Sequence, residues 1–91
     1  MPASTEELLK AKETAAALLE QLSLVNYLFE VEPREEHWEV RVDCALDQGW
    51  QTSVLLVDKA LLLSSPHDPG ARERLLQEWG RHLASCKRRS G

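Results

Sequence analysis

Trp38-Glu39-Val40-Arg41-Val42-Asp43-Cys44 alternates apolar and charged residues without one exception. Successive side chains of a strand point to opposite faces, so this stretch reads as a strand with Trp38, Val40, Val42 and Cys44 turned to a core. Glu39, Arg41 and Asp43 then face water. Upstream lies the polar turn Pro33-Arg34-Glu35-Glu36, and before it Val25, Tyr27, Phe29 and Val31 alternate with Asn26, Leu28, Glu30 and Glu32. The aromatic and β-branched enrichment there reads as a first strand, ended by Pro33. Downstream, Asp47-Gln48-Gly49 supplies a second turn, Gly49 being able to take a positive φ. Trp50 to Val57 follows as a third strand. Its inner line is expected to be Trp50, Thr52, Val54 and Leu56, with Leu55 and Val57 on the other line covered at the far end. Such short connections make the three strands an antiparallel meander with one apolar and one wet face.

Helices flank the meander. Ser4 and Glu7 have the spacing of a capping box, and from Leu8 the apolar residues Leu8, Ala11, Ala15, Leu18 and Leu22 step by three and four, widened by Leu9, Ala16 and Leu19. This predicts a helix over about residues 5–23, with Glu6, Lys10, Glu13 and Glu20 on its polar face. Asp58 can cap a short helical turn over residues 59–63, although a four-residue apolar run is equally compatible with more strand. Asp68 followed by Pro69 is a helix start, an acid capping and a proline filling the first turn. The last helix is expected over about 69–87, with Leu75, Leu76, Trp79, Leu83 and Cys86 as its stripe. The fold class is therefore α+β in two layers, an N-terminal helix, a three-stranded antiparallel meander and a C-terminal helix. Both helices are expected to lie on Tyr27, Phe29, Trp38, Val40, Val42, Trp50 and Val54.

Ninety-one residues, 43% hydrophobic and 29% charged, make one small globular domain spanning 1–91, with 88–91 read as a frayed basic tail. A chain this short buries only about 60% of its extended surface, so self-association is a natural supplement to its thin core. Its longest apolar runs, Val54 to Val57 and Ala60 to Leu63, are far from the roughly 20 residues that cross a bilayer. The acidic start Met-Pro-Ala-Ser-Thr-Glu-Glu is unlike a secretory signal, and cytoplasm is the expected location. On that expectation Cys44 and Cys86 are read as free thiols, although they could form one disulfide.

No catalytic or cofactor chemistry is legible. His82 and Cys86 stand four apart on one helix, and His37, Cys44 and His67 could complete a tetrahedral metal set, but the chain has no CxxC pair and packing already explains the cysteines. Neither cysteine lies in a nucleophile motif, and the four glycines are too scattered to cradle a phosphate. The expectation is a non-enzyme with no metal and no cofactor.

The order of helix, three-strand meander and helix is similar to that of the double-stranded-RNA-binding domain. That resemblance implies phosphate contacts from lysines where the last helix begins, whereas this chain has Ser65-Pro66-His67-Asp68-Pro69-Gly70-Ala71-Arg72 there. A nucleic-acid-binding regulator would instead rely on Arg72, Arg74, Arg81 and Lys87 to Arg89, and this is the alternative reading.

The net charge of −4 conceals a division. Residues 1–47 hold four bases against eleven acids, a net of −7, and residues 48–91 hold seven bases against four acids, a net of +3. The acids gather on the first hairpin: Glu30, Glu32, Glu35, Glu36, Glu39 and Asp43. Such a surface serves solubility and protects a sheet edge, or it recognises a basic partner surface, as an adaptor or chaperone or as a polyanion mimic occupying a nucleic-acid site. Among the three tryptophans, Trp50 and Trp79 are the candidates to exceed what a thin core covers and so to anchor an interface. The expectation is a small adaptor, regulator or chaperone-like protein whose acidic hairpin docks a basic partner while the helical layer or the edge of the third strand forms a homodimer, with nucleic acid not favoured and no membrane involved.

Overall fold

Two hairpins with two-residue loops build the sheet. The computed structural model describes residues 5–87, so Ser4 of the expected capping box and the basic tail 88–91 lie outside the described residues. In chain order the elements are α1 (Thr5–Gln21), β1 (Tyr27–Pro33), β2 (His37–Leu46), β3 (Gly49–Asp58), α2 (Lys59–Ser64), α3 (Pro69–His82) and a 3-10 turn (Ala84–Cys86). The strands form one antiparallel sheet in the order β1-β2-β3. The α+β class and the element order are those expected.

The central strand behaves as its alternation dictates. Trp38, Val40, Val42 and Cys44 are fully buried, and with Val31, Leu55 and Val57 they floor the core beneath Ala11, Ala15, Leu18 and Leu19 of α1 and Leu75 and Trp79 of α3. Lys59 Nζ lies 5.3 Å from the Trp38 ring centroid, a cation–π contact at the start of α2. That helix settles the open question over residues 59–63. Asp58 accepts from the Leu61 amide at 3.0 Å, which stops the strand and starts the helix. Asp68 likewise accepts from the Gly70 and Ala71 amides at the head of α3.

Four expectations are corrected. First, the inner line of β3 is Gln51, Ser53, Leu55 and Val57, while Trp50, Thr52, Val54 and Leu56 face outward. The loop explains this. Only Asp47 and Gln48 lie outside the ladder, with Leu46 opposite Gly49 and Cys44 opposite Gln51, and Gly49 closes the loop at φ 123°. Counting Gly49 into the strand instead of the turn shifts the register by one, which moves every side chain to the other face. Trp50 and Val54 are therefore no part of the helix-covered floor.

Second, the last helix stops at His82 and the chain continues as a 3-10 turn to Cys86. Gly80 permits the close packing there: a Cβ on it would lie 3.2 Å from Lys87 Nζ and 3.6 Å from Leu22 Cδ2. Third, Cys44 and Cys86 are not free thiols but a disulfide, with Cα atoms 5.9 Å apart. Beside it the Val25 amide donates to the Cys86 carbonyl at 2.8 Å, and Leu24 bridges to Lys87. The C-terminal segment is thus strapped to the sheet where β1 begins. Fourth, Leu9, expected to widen the α1 stripe, is exposed.

Candidate functional site

The sheet's uncovered face gathers most of the candidate residues. Across it, cross-strand register places Glu32, Glu39 and Leu56 in one row, Glu30, Arg41 and Val54 in the next, and Leu28, Asp43 and Thr52 in a third. Ala45 and Trp50 pair beyond them. The face is therefore divided lengthwise, charged over β1 and β2 and apolar over β3.

The charged half is partly self-compensating. Glu32 and Glu39 stand directly opposite each other, an unfavourable like-charge pair. Arg34, from the turn, reaches back between them, with Nη2 at 2.9 Å from Glu32 Oε2 and 3.2 Å from Glu39 Oε2. Its Nε also donates to Glu39 Oε1 at 3.4 Å. Arg41 stands opposite Glu30. The Thr52 hydroxyl donates to Asp43 at 2.6 Å. Glu35 and Glu36 form the exposed two-residue loop, which the Arg34 amide closes by donating to the His37 carbonyl at 2.9 Å. Six carboxylates and two guanidiniums leave this hairpin acidic, but less so than a count omitting Arg34 suggests.

The apolar half is the unexpected part. Trp50, Val54 and Leu56 are 63%, 53% and 61% exposed, and Leu28 across the sheet is 64% exposed. Four of the five large exposed hydrophobic residues among the described residues therefore share this one face. Exposed apolar side chains gathered beside charges are the usual composition of a protein-contact surface. Trp50 is thus an exposed aromatic. Trp79, named with it, is 2% exposed and packs in the core, so it does not present an anchor to a partner. It does wall a groove of about 280 Å³ between the β3 edge at Val54, Leu55 and Leu56 and the α3 side chains Glu78 and His82.

The backbone along β3 matters as much as its side chains. In an antiparallel ladder, residues alternate between those bonded to one neighbour and those bonded to the other. The Ala45 amide donates to the Asn26 carbonyl and the Arg34 amide to the His37 carbonyl, so odd-numbered β2 residues bond toward β1. Even-numbered β2 residues then bond toward Gln51, Ser53, Leu55 and Val57. The N–H and C=O groups of Trp50, Thr52, Val54 and Leu56 consequently point away from the sheet, at an edge with no strand beyond it among the described residues.

No group of three or more His, Cys, Asp or Glu among the described residues is placed to hold a metal, and the disulfide removes both candidate thiolates from the set His37, Cys44, His67, His82 and Cys86. On α3, Arg74 is paired with Glu78 at 3.6 Å. No helix among the described residues is long and apolar enough to cross a membrane. Burial, with the Glu20 charge adding to it, raises the Tyr27 phenol above its ordinary value of 10.0.

The exposed stripe was within reach of sequence reasoning. With Cys44 inward and a two-residue loop, Gln51 must be inward and Trp50 outward. Compared with known proteins, the chain matches no family model, no curated sequence and no solved structure.

Proposed function

We propose that this chain is a non-catalytic protein-contact module, an adaptor, regulator or chaperone-like protein. It acts as a homodimer, and its outer sheet face docks a partner bearing basic and apolar side chains together. The observation that supports this is the division of that face: exposed Trp50, Val54 and Leu56 beside the acidic hairpin. Apolar contact supplies affinity, and the carboxylates select and steer a cationic partner.

Binding to Lys/Arg-rich peptides with and without interspersed leucines tests the proposal. Reversing the charge at Glu30, Glu35 and Glu36 is expected to weaken capture of the leucine-bearing peptides about tenfold or more, and added salt to weaken capture by the unaltered protein. Unchanged capture by the charge-reversed protein would remove the reading. A steep negative salt slope for duplex RNA or DNA in its place would move the function to the basic residues of α3.

The compartment is tested by the thiols. A cytoplasmic location would keep the two thiols reduced, whereas a persistent Cys44–Cys86 bond belongs to an oxidising environment. Alkylation at the moment of cell lysis separates the two, since a reduced pair takes two labels and a bonded pair none.

A further inference from the structure

We infer that the free edge of β3 pairs antiparallel with β3 of a second copy about a two-fold axis at Ser53, joining two three-stranded sheets into one of six. This rests on the contact-module reading and names the interface that makes the homodimer.

Three observations carry it. The first is the lack of edge protection. Sheet edges that must stay single carry charges, proline or bulges, and β3 has no charged residue or proline from Gly49 to Val57. The other exposed surface suited to a dimer, the outward side of α1, bears Glu6, Lys10, Glu13 and Glu20 and has no comparable apolar stripe.

The second is the direction of the backbone groups. Trp50, Thr52, Val54 and Leu56 present their N–H and C=O groups outward, so a matching strand can form about eight hydrogen bonds across the axis. The third is self-complementarity. With the axis at Ser53, Trp50 stands opposite the partner's Leu56 and Thr52 opposite the partner's Val54. The two most exposed apolar residues of the strand then cover each other twice over. On the inner side the partner's Gln51 comes beside Leu55, at the groove lined by Glu78 and His82, both able to bond its amide. Shifting the axis to Val54 would set Trp50 against the partner's Asp58 and forfeit that match. An edge without charge selects a neutral, apolar strand, and β3 is itself such a strand.

The test uses the full chain and sedimentation equilibrium. The protein is expected to dimerise reversibly. Leu56→Lys is expected to weaken the dimer at least about tenfold, because it places two charges in the new ladder. Val54→Pro is expected to do the same by a different route: it deletes an outward N–H and leaves the bonds to β2 intact. Ser53→Cys is expected to give a covalent dimer on oxidation, since residues facing each other across the axis lie at disulfide distance.

A protein that stays monomeric at every concentration overturns the inference. So does a Leu56→Lys protein, folded by circular dichroism, that dimerises as the parent does, or a Ser53→Cys protein that forms no covalent dimer. The last two variants do not depend on whether Val54→Pro folds. A monomer that still captures basic peptides would end this inference and the homodimer with it but leave the partner-docking reading standing; a β3-paired dimer that captures none would do the reverse.

Discussion

The two edges of the sheet are built to opposite specifications. At β1 the outward backbone positions are Tyr27, Phe29, Val31 and Pro33, and Pro33 offers no N–H to a newcomer. Glu30 and Glu32 flank that edge with charge, and just before β1 the outward amide of Val25 is already taken by Cys86. At β3 nothing comparable stands in the way: no proline, no charge before Asp58, and three large apolar side chains in the open. Both strands are edges of one meander, so topology alone does not distinguish them. What differs is the side-chain chemistry, and it marks one edge as closed and the other as left for contact.

The largest effect expected contrasts the covered and bare faces that β3 borders. Trp38→Ala, removing a fully buried ring from the central strand, is expected to cost about 3–5 kcal/mol of stability. Trp50→Ala, under conditions where the protein is monomeric, is expected to change stability by no more than about 0.5 kcal/mol. Urea unfolding of the two variants measures both, and a comparable loss for Trp50→Ala would mean that β3's outer face is covered within one chain.

Opening the closed edge comes next. The Cys44–Cys86 disulfide spans 42 residues of sequence, and its loss through the double change to serine is expected to cost roughly 4 kcal/mol by the loop-entropy relation. The change loosens the strap beside β1 and leaves β3 untouched. The reduced protein should therefore unfold at lower denaturant yet self-associate no less below its transition; loss of dimer at unchanged stability would show that the strap, not β3, carries the contact.

Converting the closed edge into an open one is a smaller perturbation. Glu30→Thr together with Glu32→Thr removes the charges flanking β1 and is expected to alter monomer stability by about 1 kcal/mol or less, while raising light scattering at high concentration as a second sticky edge appears. No increase in scattering would show that Pro33 and the C-terminal strap suffice to close that side.

The smallest expectation is a pH dependence at Tyr27 in β1. Its folded phenol ionises above the ordinary 10.0. The unfolded chain therefore loses its proton first, and this contribution to stability is whole below pH 10 and declines as pH rises through the folded value. Tyr27→Phe should flatten that alkaline decline in a denaturant series collected across the range.

Most of the fold was legible in the residues, and the miss is instructive. The strict alternation of Trp38 to Cys44, the Asp58 and Asp68 caps and the three-and-four stepping of α1 each report local geometry, and each is realised. Of the candidate site, the acids of the first hairpin are legible in the residues, whereas the outward face of Trp50 and the burial of Trp79 are not. Val54 and Leu56 were likewise expected inside. All three β3 assignments follow from one miscounted turn residue, because an apolar residue on both lines of β3 left its own composition silent about which line is buried.

The chain's residues by themselves determined the strands, the two long helices, their order and the charges and proline along β1, since period, capping and edge residues act over a few neighbouring positions. Tertiary structure decided which face of β3 is covered, that Arg34 offsets Glu32 and Glu39, and that Cys44 meets Cys86. Those outcomes depend on strand register and on the return of the C-terminal segment across the sheet, relations between segments that no local pattern encodes. The bare edge of β3 needs both: an uncharged strand written in sequence, and a register that turns its apolar line outward.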